Sequence, residues 1–502
     1  MKVIVIGLDG ATWNLIKPWI DEGKLPTFKK LIDSGAWGPL ESTIPPITIP
    51  AWVSMFSGKN PGKFGVMDFK VVSFDSNGLH TMLATSRYWR GILLWDILSR
   101  RDIKSLILNI PGTYPPYPIN GHLIALDFAP WTSNTYPREI ENILYKELDL
   151  GKVKKIQEVA HKGKNAILNA IYDEENKILE ILLRFSEIYN YDVAFVRFGI
   201  PDHVSHHSTN DDDMLECHIF MDNILKKILK SIDFDYLLVV SDHGIEKRNE
   251  RFNINDVLRG LGLLKLKKDK LHLLVFSCIY PIIIKYFRTI ILRMYHLISK
   301  SKSKEIIAGG VAGESISFAL IDWTKTRAFG YSSVPTMFCP VYTQSIDANE
   351  FIKILGSSKY NDYIEEIIKT TNLYSGRYID KLPQIIVKSK IPIFPHISLR
   401  STVKSSNFYT HSLNGIFLAY GEGIKKGCKI DKAKIYDIAP TILHILGLPI
   451  PNDMDGRVLM EIFEEDSEFS RQPVYVDPSY YERDEKEKIR SKIRELKFKE
   501  RV

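Results

Sequence analysis

The chain has 502 residues, enough for one large domain with insertions or for two domains, and is 45% hydrophobic and 25% charged. That composition excludes disordered, collagen-like and disulfide-scaffold proteins, and four scattered cysteines (Cys217, Cys278, Cys339, Cys428) without a CxxC pair argue against a thiolate metal site. Of the net charge of +7, residues 265–305 hold ten Lys/Arg against Asp269 and Glu305, a surplus of +8 that leaves the rest at −1, so sequence-specific nucleic-acid binding by a basic body is not expected.

In chain order, Lys2 is followed by Val3-Ile4-Val5-Ile6-Gly7-Leu8-Asp9, a short apolar run ending in a carboxylate. A secretory leader needs a longer apolar region and a small-residue cleavage site, so the run reads as a buried first strand and the expected compartment is the cytosol. A helix-like stretch covers Leu15–Ser34, and Pro45-Pro46-Ile47-Thr48-Ile49-Pro50 follows as a stiff connection with a helix expected near Ala51. Further β-branched runs lie at Ser105–Pro111, Leu123–Asp127, Asp192–Asp202 and Tyr236–His243, with a helix pattern over Asn165–Leu183. Such alternation implies an α/β fold with a mainly parallel sheet covered on both faces. Ligands in these folds bind beyond the carboxyl ends of the strands, where Asp9, Asp202, Asp242 and His243 fall.

The pattern loosens from 255 to 400, which reads as an inserted cap between a first core segment, 1–254, and a last one, 401–463. Within it, Leu271–Ile284 carries no charge but falls short of the ~20 apolar residues that span a bilayer. Lys285, Arg288 and Arg293 then interrupt it, with Ile284, Phe287, Ile291, Tyr295 and Ile298 along the other face. That is the pattern of an amphipathic helix in peripheral contact with a membrane surface; a cap helix packed on the core, its lysines solvated, gives the same pattern. Gly415–Gly421 returns to strand character, and a helix over Asp437–Leu446 is closed by Gly447 and Pro449. The tail, 464–502, is charged, with Ile489, Ile493 and Leu496 at helical spacing.

Four short motifs carry chemistry. In Ser241-Asp242-His243-Gly244 a turn beyond the strand end lets two adjacent side chains reach one ion; a hydrogen-bonded Asp beside a surface His is the plain alternative. In Pro201-Asp202-His203-Val204-Ser205-His206-His207, Asp202 and His206 share a helical face as a workable metal pair, with His203 and His207 at the same mutual spacing and helix capping by Asp202 as the alternative. Thr48 is a hydroxyl presented on a proline-stiffened loop, with Ser42, Thr43 and Ser54 in competition. His411, in Tyr409-Thr410-His411-Ser412, gains interest only from its place before the late strand.

Together these motifs resemble the alkaline phosphatase superfamily, in particular the type I phosphodiesterase/nucleotide pyrophosphatase family. The resemblance runs through Ile6–Gly10, Thr48-Ile49-Pro50, Ser57–Gly62, Pro201-Asp202…His206, Ser241–Gly244 and His411…Gly415, with Tyr436–Thr441 and Met454–Arg457 like the family's C-terminal signature. It implies an alkaline-phosphatase-like three-layer sandwich and a two-metal hydrolase of small-molecule phosphate esters working through a phosphothreonine at Thr48. One metal would be held by Asp9, Asp242, His243 and Thr48, the other by Asp202, His206 and His411, sets that suit zinc and tolerate manganese. Two departures bear on the phosphate contacts: Ala51 and Trp52 stand where nucleotide pyrophosphatases have an Asn, and the Gly-x-x-Pro-x-x-His-Gly pattern reads Gly58…Phe64-Gly65. Sulfatases need Cys or Ser as nucleophile, and the phosphoglycerate mutase branch a serine in another setting, so neither fits. Monoester hydrolysis or phosphotransfer within the superfamily, and a non-catalytic binding protein that keeps the fold, are the alternatives.

Overall fold

The computed structural model describes residues 2–75, 78–127, 133–267, 318, 320–397 and 402–482. Five apolar strands form the centre of a ten-stranded sheet: Tyr236–Val240, Val3–Leu8, Val193–Phe198, Ser105–Leu108 and Gly121–Ile124 run parallel in that spatial order. Thr135–Tyr136 closes one edge in the antiparallel sense. On the other side Asn414–Gly421 runs antiparallel between Tyr236–Val240 and Ala36–Glu41, and Cys428–Lys429 and Ala433–Lys434 lie parallel to the latter.

Successive residues of a strand face opposite sides of its sheet. In Val3–Leu8, accordingly, Ile4, Ile6 and Leu8 enter one apolar cluster while Val3 and Val5 enter another. The first cluster takes in the inner faces of helices Trp13–Asp21, Pro26–Ser34, Lys164–Ile188 and Asp211–Ser231; the second takes in Thr48–Ser57, Leu94–Arg100 and Ile438–Ile445. The result is the three-layer sandwich that the sequence leads one to expect. At about 1.5–3 kcal/mol for each fully buried Val, Leu or Ile, these clusters, not the polar contacts at the strand ends, keep the sheet rigid.

Two features differ from the sequence reading. The stretch Leu15–Ser34 is two helices: the first is closed at Gly23, φ +76°, where the Gly23 and Lys24 N–H groups bond back to the Ile20 and Trp19 carbonyls, and Pro26 begins the second. Asp222 caps that second start, its Oδ1 accepting from the N–H groups of Thr27 and Phe28 at 2.9 Å each. The structure has a second, six-stranded sheet with its own apolar cluster, in the order Ala328–Gly330, Thr336–Thr343, Val403–Ser412, Gly244–Asn253, Ile385–Phe394 and Ile364–Lys369; Gly244–Asn253 and Val403–Ser412 fall outside the stretch where the sequence pattern loosens, in the segments read as core. The expectations for the basic amphipathic segment beyond residue 267, and for Ile489, Ile493 and Leu496, fall outside the described residues. Among the described residues, no helix is long and apolar enough to cross a membrane.

The turn after helix Thr48–Ser57 is bracketed by the C-terminal segment. Asp455 Oδ2 accepts from the backbone N–H of Asn60 at 2.7 Å and from its side-chain amide at 2.9 Å, and Lys63 Nζ lies 2.7 Å from Asp455 Oδ1. Lys59 pairs with Asp453. Asp437 in turn accepts from the N–H groups of Lys434 at 2.8 Å and Arg457 at 2.9 Å, fixing the Met454–Arg457 stretch. Replacing Asp455 by Ala strands these donors, and the expected loss is about 1.5–3 kcal/mol. Urea unfolding should show a lower midpoint at an unchanged slope; a midpoint equal to that of the parent protein would deny the bracket any part in stability.

Candidate active site

Strand Val3–Leu8 keeps its ladder one residue beyond its end, the Asp9 N–H donating to the Phe198 carbonyl at 3.0 Å. Gly10 then turns the chain at φ +73°, a left-handed conformation natural to glycine. The Asp9 carbonyl accepts from the Asp202 N–H at 3.1 Å, which sets the ends of two neighbouring parallel strands side by side. Asp202 opens the one-turn helix Asp202–Ser205, and the His206 N–H donates to its carbonyl at 3.2 Å. The four-residue spacing thus brings His206 Nε2 within 3.3 Å of Asp202 Oδ2, while His203 packs against Gly199.

The remaining groups sit where the chain passes between the two sheets. Tyr236–Val240 belongs to the large sheet and Gly244–Asn253 to the smaller one, so Asp242 and His243 occupy the crossing. The return is made from Val403–Ser412 to Asn414–Gly421, with His411 paired to Ile245 at its start. Asp242 Oδ1 accepts from the Gly10 N–H at 3.3 Å. His243 Nδ1 lies 3.1 Å from the Gly244 carbonyl and His411 Nδ1 lies 2.9 Å from the Pro46 carbonyl. A carbonyl only accepts, so each Nδ1 carries a proton and Nε2 is the nitrogen turned to the site. The two imidazoles stack, ring centres 3.6 Å apart.

Thr48 is the first residue of helix Thr48–Ser57, three residues earlier than the start expected near Ala51. Its Oγ1 lies 3.3 Å from His243 Nε2, which is itself 3.3 Å from Asp242 Oδ2 and 3.5 Å from Asp9 Oδ1. His411 Nε2 lies 3.3 Å from Asp202 Oδ1. Donor atoms of Asp9, Asp242 and His243 all fall within 4.8 Å of one another, as do those of Asp202, His206 and His411. All seven residues singled out in the sequence therefore face one place.

Whether cations fit there is answered by the polar atoms left over. Asp9 Oδ1, Asp202 Oδ1, Asp242 Oδ2 and His411 Nε2 are all buried without a hydrogen-bond partner. Leaving a buried polar group unpaired costs about 1–3 kcal/mol each. Four such atoms converging at ion-ligand spacing from well-ordered strand ends fit a divalent cation, and the mix of carboxylate and imidazole without thiolate fits zinc or manganese.

Sequence reasoning missed Arg197. This buried guanidinium places Nε at 2.9 Å and Nη2 at 2.7 Å from Asp9 Oδ2, and Nη1 at 3.2 Å from Asp127 Oδ2. The signal was there in Val193-Ala194-Phe195-Val196-Arg197-Phe198, since a lone arginine within a strand buried on both faces must be paired. Trp52, taken from the sequence as a departure in the phosphate contacts, is wholly buried, and its Nε1 lies 3.3 Å from Asp9 Oδ2.

The family described as type I phosphodiesterase / nucleotide pyrophosphatase matches residues 3–296. Murine ectonucleotide pyrophosphatase / phosphodiesterase 5 superposes with a TM-score of 0.54 at 12% identity, covering 92% of this chain and 100% of that one. The human protein of the same name gives 0.54 at 13% identity, covering 92% and 98%. An inactive threonine-to-alanine variant of the murine protein in complex with AMP gives 0.52 at 12%, covering 89% and 95%. At such identities the likeness is one of fold. A 2,3-bisphosphoglycerate-independent phosphoglycerate mutase from Bacteroides thetaiotaomicron is 43% identical over 51 residues, and the match spans about 10% of each chain.

Three carboxylates crowd this site, and they do not ionise alike. Burial opposes the charge of Asp202, yet His206 and His411 hold its carboxyl well below the usual range. Asp242 is pushed well above it by burial and then by the charges of Asp9 and Asp202. A carboxyl raised in the folded state costs stability as pH climbs past its unfolded value, and costs nothing below it. Chelator-treated protein carrying Asp242→Asn should therefore melt about 2 °C or more above chelator-treated wild type at neutral pH. The gap should close as pH falls below about 4, where the Asp242 carboxyl is neutral in the unfolded chain as it is in the folded one. A variant that melts lower than wild type at pH 7 would show that crowding is not what limits the metal-free site.

Proposed function

The chain belongs to the type I phosphodiesterase / nucleotide pyrophosphatase family, a family of metal-dependent phosphoric ester hydrolases, and from that membership we propose that it cleaves small-molecule phosphodiesters or pyrophosphates through two divalent cations and a phosphothreonine at Thr48. The observation that carries this reading is the position of Thr48 Oγ1, 3.3 Å from His243 Nε2 and facing the same point as the free oxygens of Asp9 and Asp242. Asp9, Asp242, His243 and Thr48 would hold one cation, and Asp202, His206 and His411 the other.

When bound, two such cations lower the pKa of a coordinated hydroxyl and neutralise the entering and leaving oxygens of an in-line displacement. Thr48 Oγ1 gives up its proton to solvent and attacks phosphorus; the bond to the leaving oxygen breaks as the bond to Oγ1 forms, and the leaving group takes a proton from solvent and departs as the alcohol or phosphate. Water then attacks the phosphothreonine, restoring the hydroxyl and releasing the phosphorylated product. Each displacement inverts phosphorus, so the net outcome is retention. The positive end of helix Thr48–Ser57 lies at Thr48 itself, where it favours the phosphate's negative charge. The imidazoles contribute by holding their protons on Nδ1, against the Gly244 and Pro46 carbonyls, and keeping Nε2 free.

A nucleotide-like substrate is supported by the murine relative's complex with AMP, in which that protein's inactivating change is threonine to alanine. Thr48→Ala should lower turnover of a chromogenic diester by about 10⁴-fold or more while two equivalents of zinc or manganese still bind. Chelator should abolish wild-type turnover reversibly, and a parallel assay with a chromogenic monoester gives the preference. Near-normal turnover by the Thr48→Ala protein would end the proposal.

A further inference from the structure

The groups around Asp9 carry a consequence that none of the seven site residues accounts for. A carboxylate has two equivalent oxygens, and rotation about one bond exchanges them. Here Oδ2 is taken: Arg197 reaches it with two N–H groups at 2.9 and 2.7 Å, and the Trp52 indole N–H approaches it at 3.3 Å. Oδ1 is left buried, unpartnered and 3.5 Å from His243 Nε2. We propose that Arg197 and Trp52 form a clamp that makes Asp9 a one-oxygen ligand of fixed direction, and so positions the cation shared with Asp242, His243 and Thr48. The inference rests on the two-cation reading and deepens it.

Several independent features build this clamp. Arg197 stands opposite Gly7 on the neighbouring parallel strand, and Asn109 Nδ2 donates to the Arg197 carbonyl at 3.1 Å, which fixes the strand from its other side. The absence of a side chain at Gly7 admits Trp52: a Cβ there would lie 2.3 Å from the indole Cη2. The guanidinium is anchored at its far end by Asp127, so it does not swing toward the site. A free positive charge beside a cation site would repel the cation. Asp127 is the further carboxylate paired with Arg197 that offsets it, leaving its geometry as its main contribution. Neither Arg197 nor Trp52 faces Asp202, His206 or His411 in any hydrogen bond described above, so the effect is confined to one of the two positions.

The test measures stepwise binding of zinc to metal-free protein against a chromophoric chelator, with no turnover involved. Wild type should take up two ions. Arg197→Lys keeps the charge but loses the fork, and Arg197→Gln loses both. Each should weaken one step by about 10–100-fold, the lysine variant less, and leave the other step unchanged. In a His206→Ala background, which isolates the Asp9 position, the weakened step should be the one that remains. Trp52→Phe keeps a ring in place and removes only the indole N–H; it should weaken the same step by about 3-fold, and it decides the matter should the arginine variants not fold. A residue acting only on the fold would lower the melting temperature without choosing between the steps. Two ions bound with wild-type affinities by Arg197→Lys and by Trp52→Phe would overturn the clamp alone. A wild-type chain that took up no zinc would remove the two-cation reading and the clamp with it.

Discussion

The site depends on a pair of strands that leave one sheet for another without losing each other. Val240 pairs with Phe417 at the end of the large sheet, and four residues further on Gly244 pairs with Ser412 at the start of the smaller one. Between these registers the ladder is kept by irregular bonds: the Ser241 N–H donates to the Ile416 carbonyl at 3.0 Å and the Ile416 N–H to Ser241 Oγ at 2.7 Å, while on the far side of the returning strand the Ser42 N–H donates to the Leu413 carbonyl at 2.9 Å. Gly415 is needed there, because a Cβ would lie 2.1 Å from Ser241 Oγ. Asp242, His243 and His411 are thus set on backbone held from both sides, and the third strand end, carrying Asp9, is bonded to Asp242 through the Gly10 N–H. A metal or substrate site built on such backbone needs little reorganisation when occupied.

The same rigidity explains why the carboxylates differ. A flexible site would let Asp9, Asp202 and Asp242 separate when unoccupied. Here they stay close, so Asp202 takes the help of His206 and His411 while Asp242 resists ionising. His243 is pushed down to about 4 by burial and by His411, which keeps its imidazole neutral at ordinary pH. A site that is uncomfortable alone and relieved by positive charge is the electrostatic signature of a place made for cations, and it is a cost to folding that function requires.

Much of this was legible in the sequence, for an identifiable reason. Strands buried on both faces read as unbroken apolar runs, and the polar residues that end them mark the site, so Asp9, Asp202 and Asp242 stand out. Part of the second sheet did not stand out, because its strand Gly244–Asn253 is largely solvated and carries Glu246, Lys247, Arg248, Glu250 and Arg251 among few apolar residues. Pro26 gave the break within Leu15–Ser34 a local signal that the apolar periodicity overrode. The choice of His206 over His207 rested on the family resemblance, and the turn Asp202–Ser205 is what brings His206 beside Asp202. The bracket formed by Asp455 was visible only as a family-like pattern; its role in holding the turn after helix Thr48–Ser57 belongs to tertiary contacts between positions far apart in the chain, 395 for Asn60 and Asp455.

Arg197 is the residue for which stability and function give opposite advice. Burying a guanidinium costs several kcal/mol, and an aliphatic side chain between Val196 and Phe198 would suit a strand whose other residues are all apolar. The cost is offset only because Asp9 and Asp127 meet the guanidinium at hydrogen-bonding or ion-pairing distance. Of those two, Asp9 is itself buried, so each charge needs the other to be tolerated. If the fold alone were at stake, both could be replaced together by apolar residues at little loss. What such a replacement would remove is the directed oxygen at the end of the first strand, which is the reason, on physical grounds, for this pair to be present in the middle of the core.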